Sequence, residues 1–342
     1  MKFYFCRIRE MKNIAFVSMV ALALIGCGKT CDFPDNLDVP EIRIERLEDQ
    51  LFEMNLQSEV LEFLNNNPVL KKEFLGSDQY PSDSILAGVL LNRLQNPFID
   101  TLRAESSEVF DDMADIKEEL GRALAYLKSY YPDAKVPKIQ TMVTGFGTSE
   151  MYVSDSLIII GLDYYIGKEA SFRPNEYPTY ILNRYQKPYI VPAIMLLLSE
   201  NYVNTDYNDN TMLADMLYYG KKYHFTKSMM PCTPDSLIIW YSEKEISDIT
   251  ENQHIIWGTF LQNELLFETN HITKKKFMGE RPNTYEISAV CPGRIGAWVG
   301  WEILKKYASD HPEVSLQQLL NQSDALQLFN DSNYKGRSPG IF

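Results

Sequence analysis

The sequence predicts an α+β domain, mostly helical with a small β-sheet, and two observations carry that reading. Between positions 136 and 224 a strand signal comes first, with strands expected at 138–144, 151–154 and 156–163, followed by helices expected at 188–202 and 211–224. Residues 157–162 of the last strand are an unbroken apolar run, which fits a strand buried on both faces. Outside this stretch the apolar residues recur mostly at helical spacing. At 342 residues, 45% hydrophobic and 23% charged, the composition is that of a folded globular chain.

The first residues are set apart from the domain. Lys12 precedes an apolar run containing Ile14, Phe16, Val17, Val20, Leu22, Leu24 and Ile25, which reads as an export signal too short for a permanent membrane span. Its end, Leu24, Ile25, Gly26 and Cys27, resembles the lipobox of bacterial lipoproteins, with Cys27 as the lipid attachment residue. The expected organisation is an export signal at 1–27, a tether at 28–40, a single domain at 41–337 and a tail at 338–342. Removing residues 1–26 takes away four cations and one acid, so the formal charge moves from -13 to -16. So acidic a surface repels phosphate backbones and anionic headgroups. Nucleic acid is therefore not an expected partner, and the membrane is reached through the lipid on Cys27.

Along the domain, Ile42 and Ile44 alternate with charged neighbours as a short strand that gives way to a helix near Arg46. Residues 58–127 read as helices broken at 65–68, 76–81 and 96–97, the clearest starting at Asp112 and burying Met113, Ile116, Leu120, Leu124 and Leu127. Gly145, Phe146 and Gly147 suit a turn between strands, since no third glycine or Gly-Lys-Ser/Thr sequence makes them a phosphate loop. A tyrosine- and proline-rich segment covers 172–188, and Thr211 is the expected N-cap of the second core helix. Thr233 with Pro234, and Ser242 with Glu245, mark two further helix starts, the second leading to a stripe of Ile256, Trp257, Phe260, Leu261 and Leu265. Lys274, Lys275 and Lys276 read as a solvated loop. Gly293, Gly296 and Gly300 fall on roughly one face of a helix opened by Cys291 and Pro292, a costly arrangement unless another backbone packs there. Ser315 with Gln318 is a last capping box.

The sequence nominates no catalytic, cofactor-binding or metal-ligating residue. Zinc hydrolysis needs two histidines one helical turn apart with a glutamate between them, and His224, His254, His271 and His311 lack that spacing. The Gly-x-Ser-x-Gly elbow of serine hydrolases is missing. Cys31, Cys232 and Cys291 are too few for a disulfide framework; export permits a disulfide between any two of them, and free thiols are the preferred reading. Glu200, Asp206, Asp209 and Asp215 gather near the core helices but suit solvated helix ends better than a cation site.

One resemblance adds to this. Thr233 to Asp235, Ile256 and Trp257, Leu266 to Thr269, the block Pro292 to Gly300, Val314 to Leu320 and Ser332 to Lys335 resemble the gliding-motility lipoprotein family GldB, and the likeness extends over the mature chain. That family is in turn similar to zincin-type metallopeptidases, which implies a zincin-like domain. The zincin ligands do not carry over: the first core helix offers Pro192, Ala193, Ile194, Met195 and Leu196 where His-Glu-x-x-His would stand, and the second offers Tyr219 and Gly220 for Glu-Gly. The resemblance thus implies a non-catalytic scaffold or binding component of the cell envelope with protein partners. The alternatives are a hydrolase with an unorthodox site and a periplasmic small-molecule binder using the tyrosine-rich segment.

Overall fold

A computed structural model describes residue 31 and residues 33–336. The export signal, Cys27 and the 338–342 tail lie outside the described residues. The chain from Asn36 onward forms one compact unit.

The sheet has four strands: β1 (Ile44–Arg46), β2 (Lys138–Met142), β3 (Met151–Val153) and β4 (Leu157–Gly161). Their order is β1-β2-β4-β3, with β1 parallel to β2, β2 parallel to β4 and β3 antiparallel to β4. The short strand near Ile44 is thus an edge of the same sheet. Successive β4 side chains alternate between two apolar layers: Ile158 and Ile160 join one core with Ile139, and Ile159 joins another with Met142. That double coverage is why the run 157–162 shows no polar alternation.

One of those layers is built by α1 (Leu47–Leu51), α2 (Gln57–Asn66) and α3 (Asp83–Leu94), which supply Leu51, Phe63, Leu64, Leu86 and Leu90. Then come α4 (Pro97–Val109), capped by the Asn96 side chain, and α5 (Ala114–Tyr130). The opposite layer comes from α5 and from α7 (Ile190–Leu198), reached through the short α6 (Thr179–Leu182). Val39 and Pro40, placed in the tether by the sequence, instead lie against Gly121 of α5. The turn after β2 is held by Asp163, which accepts from the Thr144 and Phe146 backbone N–H groups, each at 3.0 Å. Gly145 and Phe146 both take positive φ there.

The centre of the rest is α8 (Met212–Met229), which Thr211 caps through the Ala214 N–H at 3.2 Å. It runs past His224, five residues beyond the expected end. Against it pack α9 (Asp235–Ile239), α12 (His271–Met278), α13 (Ile295–Asp310), α14 (Leu316–Asn321) and α15 (Ala325–Ser332), while α10 (Glu243–Glu251) and α11 (Gln253–Gln262) add Ile249, Ile256, Trp257 and Phe260 to the same core. The capping boxes at Ser242 and Ser315 are both formed.

Four expectations need correction. Thr233 does not cap α9; its hydroxyl turns to Glu119, and Pro234 takes the N-cap position. Asn252 interrupts the run after Ser242, so α10 and α11 are separate and Leu261 is exposed. Lys274 to Lys276 belong to α12, where the Lys274 ammonium pairs with Asp215 at 2.6 Å and donates to the Asn210 carbonyl. Cys31 and Cys232 are each disulfide-bonded, so only Cys291 among the described cysteines is a free thiol.

Gly293 precedes α13 rather than lying on its face, and the three glycines meet different neighbours. A Cβ on Gly293 would overlap the Arg281 carbonyl, one on Gly296 the Met278 sulfur, and one on Gly300 the Met216 carbonyl.

Candidate functional site

At the positions matched by the resemblance, 192, 196, 219 and 220, the two core helices carry no zinc-ligating side chain. Pro192 and Leu196 are buried, and the positions of α7 that line open space, Ala193 and Leu197, are one turn apart with no ligating atom between them. On α8, Tyr219 is partly exposed and Gly220 is pressed against Gly300. Among the described residues no three His, Cys, Asp or Glu side chains gather closely enough to hold a metal ion. Burial first, and then the Lys305 charge, push the pKa of His224 down to about 4, so it is neutral at pH 7. His311 sits between Glu313 and the Asp331 carbonyl, while His254 and His271 are exposed.

The carboxylates near the core helices are engaged. Glu200 pairs with Lys222 at 2.8 Å and Asp215 with Lys274, while Asp206 and Asp209 accept from the turn amides of Asn208 and Thr211. Burial pushes the Cys291 thiol up to about 12, far from thiolate reactivity.

Beside Ala193 and Leu197 the molecule opens into two cavities that share a wall of Arg184, Tyr189, Trp240 and Glu280. The polar one, about 190 Å³, is lined by four cations, Lys168, Arg184, Arg281 and Arg294, and two acids, Glu245 and Glu280. In a chain of net charge -13 this is a local reversal of sign. The other, about 370 Å³, is walled by Tyr165, Tyr177, Ile181, Tyr185 and Tyr189, with Glu150 near its mouth.

Glu280 ties the wall together. Both terminal nitrogens of Arg184 donate to it, at 2.8 and 2.7 Å, and the Arg294 Nε lies 3.2 Å away. Burial alone would raise its carboxyl, but the Arg184 bonds and the Arg294 charge prevail and hold it below the usual range. The Arg294 guanidinium is buried and also donates to the Tyr223 hydroxyl at 3.1 Å and the Ile239 carbonyl at 2.7 Å. Both guanidiniums lie over the Trp240 indole, Arg184 at 5.2 Å and Arg294 at 5.5 Å from its centroid.

The backbone at this wall is strained. Trp240, closing α9, has φ 62°, and Arg294, preceding α13, has φ 59°. Non-glycine residues enter this region at a cost, and they persist where surrounding packing imposes it, often at ligand clamps.

The tyrosine compartment is rigid on its inner side. Tyr185 stands edge-on to Tyr165 at 5.6 Å and tilted against Tyr177 at 5.5 Å. Burial, followed by the charge of Glu150, keeps the Tyr165 and Tyr185 hydroxyls protonated well above their ordinary range. At the polar cavity the Ser242 hydroxyl donates to the Glu245 carboxylate at 2.8 Å, a contact that belongs to the capping box of α10.

Sequence reasoning reached part of this site. The tyrosine-rich segment stood out, and Arg294 lies inside the most specific block of the resemblance, but Arg184, Trp240 and Glu280 did not stand out. They come from three separate stretches, and a lone arginine, tryptophan or glutamate has no spacing to betray it.

The family model described as Gliding motility protein GldB matches residues 32–336. No curated protein and no solved structure matches the chain.

Proposed function

The chain belongs to the gliding motility protein GldB family, and from that premise we propose that it works as a lipid-anchored, non-catalytic binding component of the cell envelope, tethered through Cys27. The family implies a motility-related lipoprotein with envelope partners. The observation that supports binding over catalysis is the wall at Glu280. Arg184, Arg294 and Glu280 are locked into ion pairs and the Tyr165 and Tyr185 hydroxyls are held protonated, whereas catalysis needs a group poised to exchange a proton. The zincin-like reading of the scaffold fits the same conclusion, because Pro192 and Leu196, at the two histidine positions of the resemblance, offer only carbon.

Cell fractionation and cross-linking test this together. The native chain should sediment with membranes and cross-link to defined envelope proteins, and Cys27→Ser should move it to the soluble fraction and lose those partners. A Cys27→Ser protein that stays membrane-bound overturns the lipid anchor. Hydrolysis of peptide by the purified chain, abolished by a chelator, overturns the non-catalytic reading.

A further inference from the structure

We propose that the paired cavities at Arg184, Trp240 and Arg294 form one binding site for a carboxylate carried on an aromatic or branched apolar group. The inference rests on the reading of this chain as a binding component and supplies the chemistry of what it binds.

The polar cavity selects the charge. Four cations against Glu245, Glu280 and the Glu286 that pairs with Arg281 leave it net positive by one, so an anion entering from an acidic surface gains Coulomb energy there. Donors remain for it. A guanidinium has five N–H bonds; each Arg184 terminal nitrogen gives one to Glu280, leaving one on each that points away from the other. Lys168 is exposed at the edge and supplies an ammonium, and a guanidinium N–H beside an ammonium suits a carboxylate.

The tyrosine cavity selects the body of the ligand. Its volume, about 370 Å³, is at the lower end of ordinary small-molecule sites, and its walls are aromatic rings with Ile181, Ala193 and Leu197. An aromatic or branched side chain fills such a space against the rings. Because the cavities share Trp240 and Arg184, both parts of one small molecule are in reach at once. Trp240 on the shared wall and Arg294 beside it in the polar cavity both have strained backbones, and rigidity there lowers the ordering cost of binding.

The same chemistry arises in a free aromatic acid and in a partner chain ending in an aromatic residue, and tryptophan fluorescence separates them. Trp257, Trp298 and Trp301 are buried, so Trp240 is the indole that a cavity ligand quenches. The purified full chain in detergent is titrated with N-acetylphenylalanine, its amide, and a short peptide ending in phenylalanine with free or amidated terminus. The expected result is saturable quenching by the acids, little by the amides, and weakening at raised salt. A response to the peptide alone identifies a chain terminus, and one to both acids admits a free metabolite.

Lys168→Glu lies at an exposed position that cannot unfold the chain and should weaken binding about tenfold. Arg184→Met should abolish it. Trp240→Phe should remove the signal. Equal binding of acid and amide, absence of any saturable change, or quenching that persists in Trp240→Phe overturns the site. Recovering the peptide cleaved would instead overturn the non-catalytic reading.

Discussion

Gly220 on α8 and Gly300 on α13 touch backbone to backbone: a Cβ on Gly220 would lie 2.6 Å from both the carbonyl carbon and oxygen of Gly300. The neighbour on the other side is equally hard, since a Cβ on Gly300 would overlap the Met216 carbonyl. Backbone cannot rotate aside as a side chain can. Gly300→Ala is therefore expected to destabilise the chain by roughly 1–3 kcal/mol, the usual cost of overpacking. Gly258 in α11 has no heavy atom within 4 Å of its missing Cβ, so Gly258→Ala should raise the melting temperature by restoring ordinary helix propensity. Equal melting temperatures for the two variants would contradict the close contact.

The α+β class was legible because it follows from local patterns. The unbroken β4 run, the capping boxes at Ser242 and Ser315 and the all-apolar α7 each report on a few consecutive residues. What was not legible depends on partners far along the chain. Lys274 reads as a solvated lysine until Asp215, brought in by α8, stands 2.6 Å away. Leu261 falls on the right helical spacing but is exposed because α11 starts afresh after Asn252. Glu280 gains its meaning from Arg184, separated from it by 96 residues.

Lys221 makes alkaline stability measurable at one residue. Its ammonium is buried in α8 and donates to the carbonyls of Asn204, at 2.9 Å, and of Gln322, without a carboxylate beside it. Burial lowers its pKa to about 8, against about 10.4 in the unfolded chain. Between those values the unfolded state holds more protons, so stability rises with pH across the window and is reduced below it. Lys221→Met removes that dependence. The difference in stability between native and variant chains should therefore shift by of order 3 kcal/mol in favour of the native between pH 8 and 10. The tyrosines with raised pKa values oppose this in both proteins and cancel in the difference. A pH-independent difference from chemical denaturation curves would refute it.

His224 gives the acid counterpart. Its pKa of about 4 in the folded chain lies below the unfolded value near 6.5, so its contribution is complete above pH 6.5 and is lost as pH falls toward 4. His224→Gln should keep the helix while flattening the fall in melting temperature over that window. An unchanged slope would mean that other groups govern acid unfolding.

The neutral state of His224 also sharpens what metal analysis should find. Protonation does not bar this imidazole from zinc at pH 7, so only the lack of partners can. A catalytic zinc needs three protein ligands, and α7 contributes none, while on α8 the acid at Asp215 is already paired with Lys274. The purified chain is accordingly expected to carry no stoichiometric zinc, and added zinc should leave its melting temperature unchanged. Installing two ligands on the face of α7 that lines the cavity tests the argument from the other side. Ala193→His with Leu197→His places two imidazoles one turn apart, the spacing with which a helix presents both to one ion. That variant should gain zinc-dependent stabilisation that the native chain lacks. Zinc bound one to one by the native chain, or no response in the double variant despite native folding, would show that this face is not where a metal centre could form.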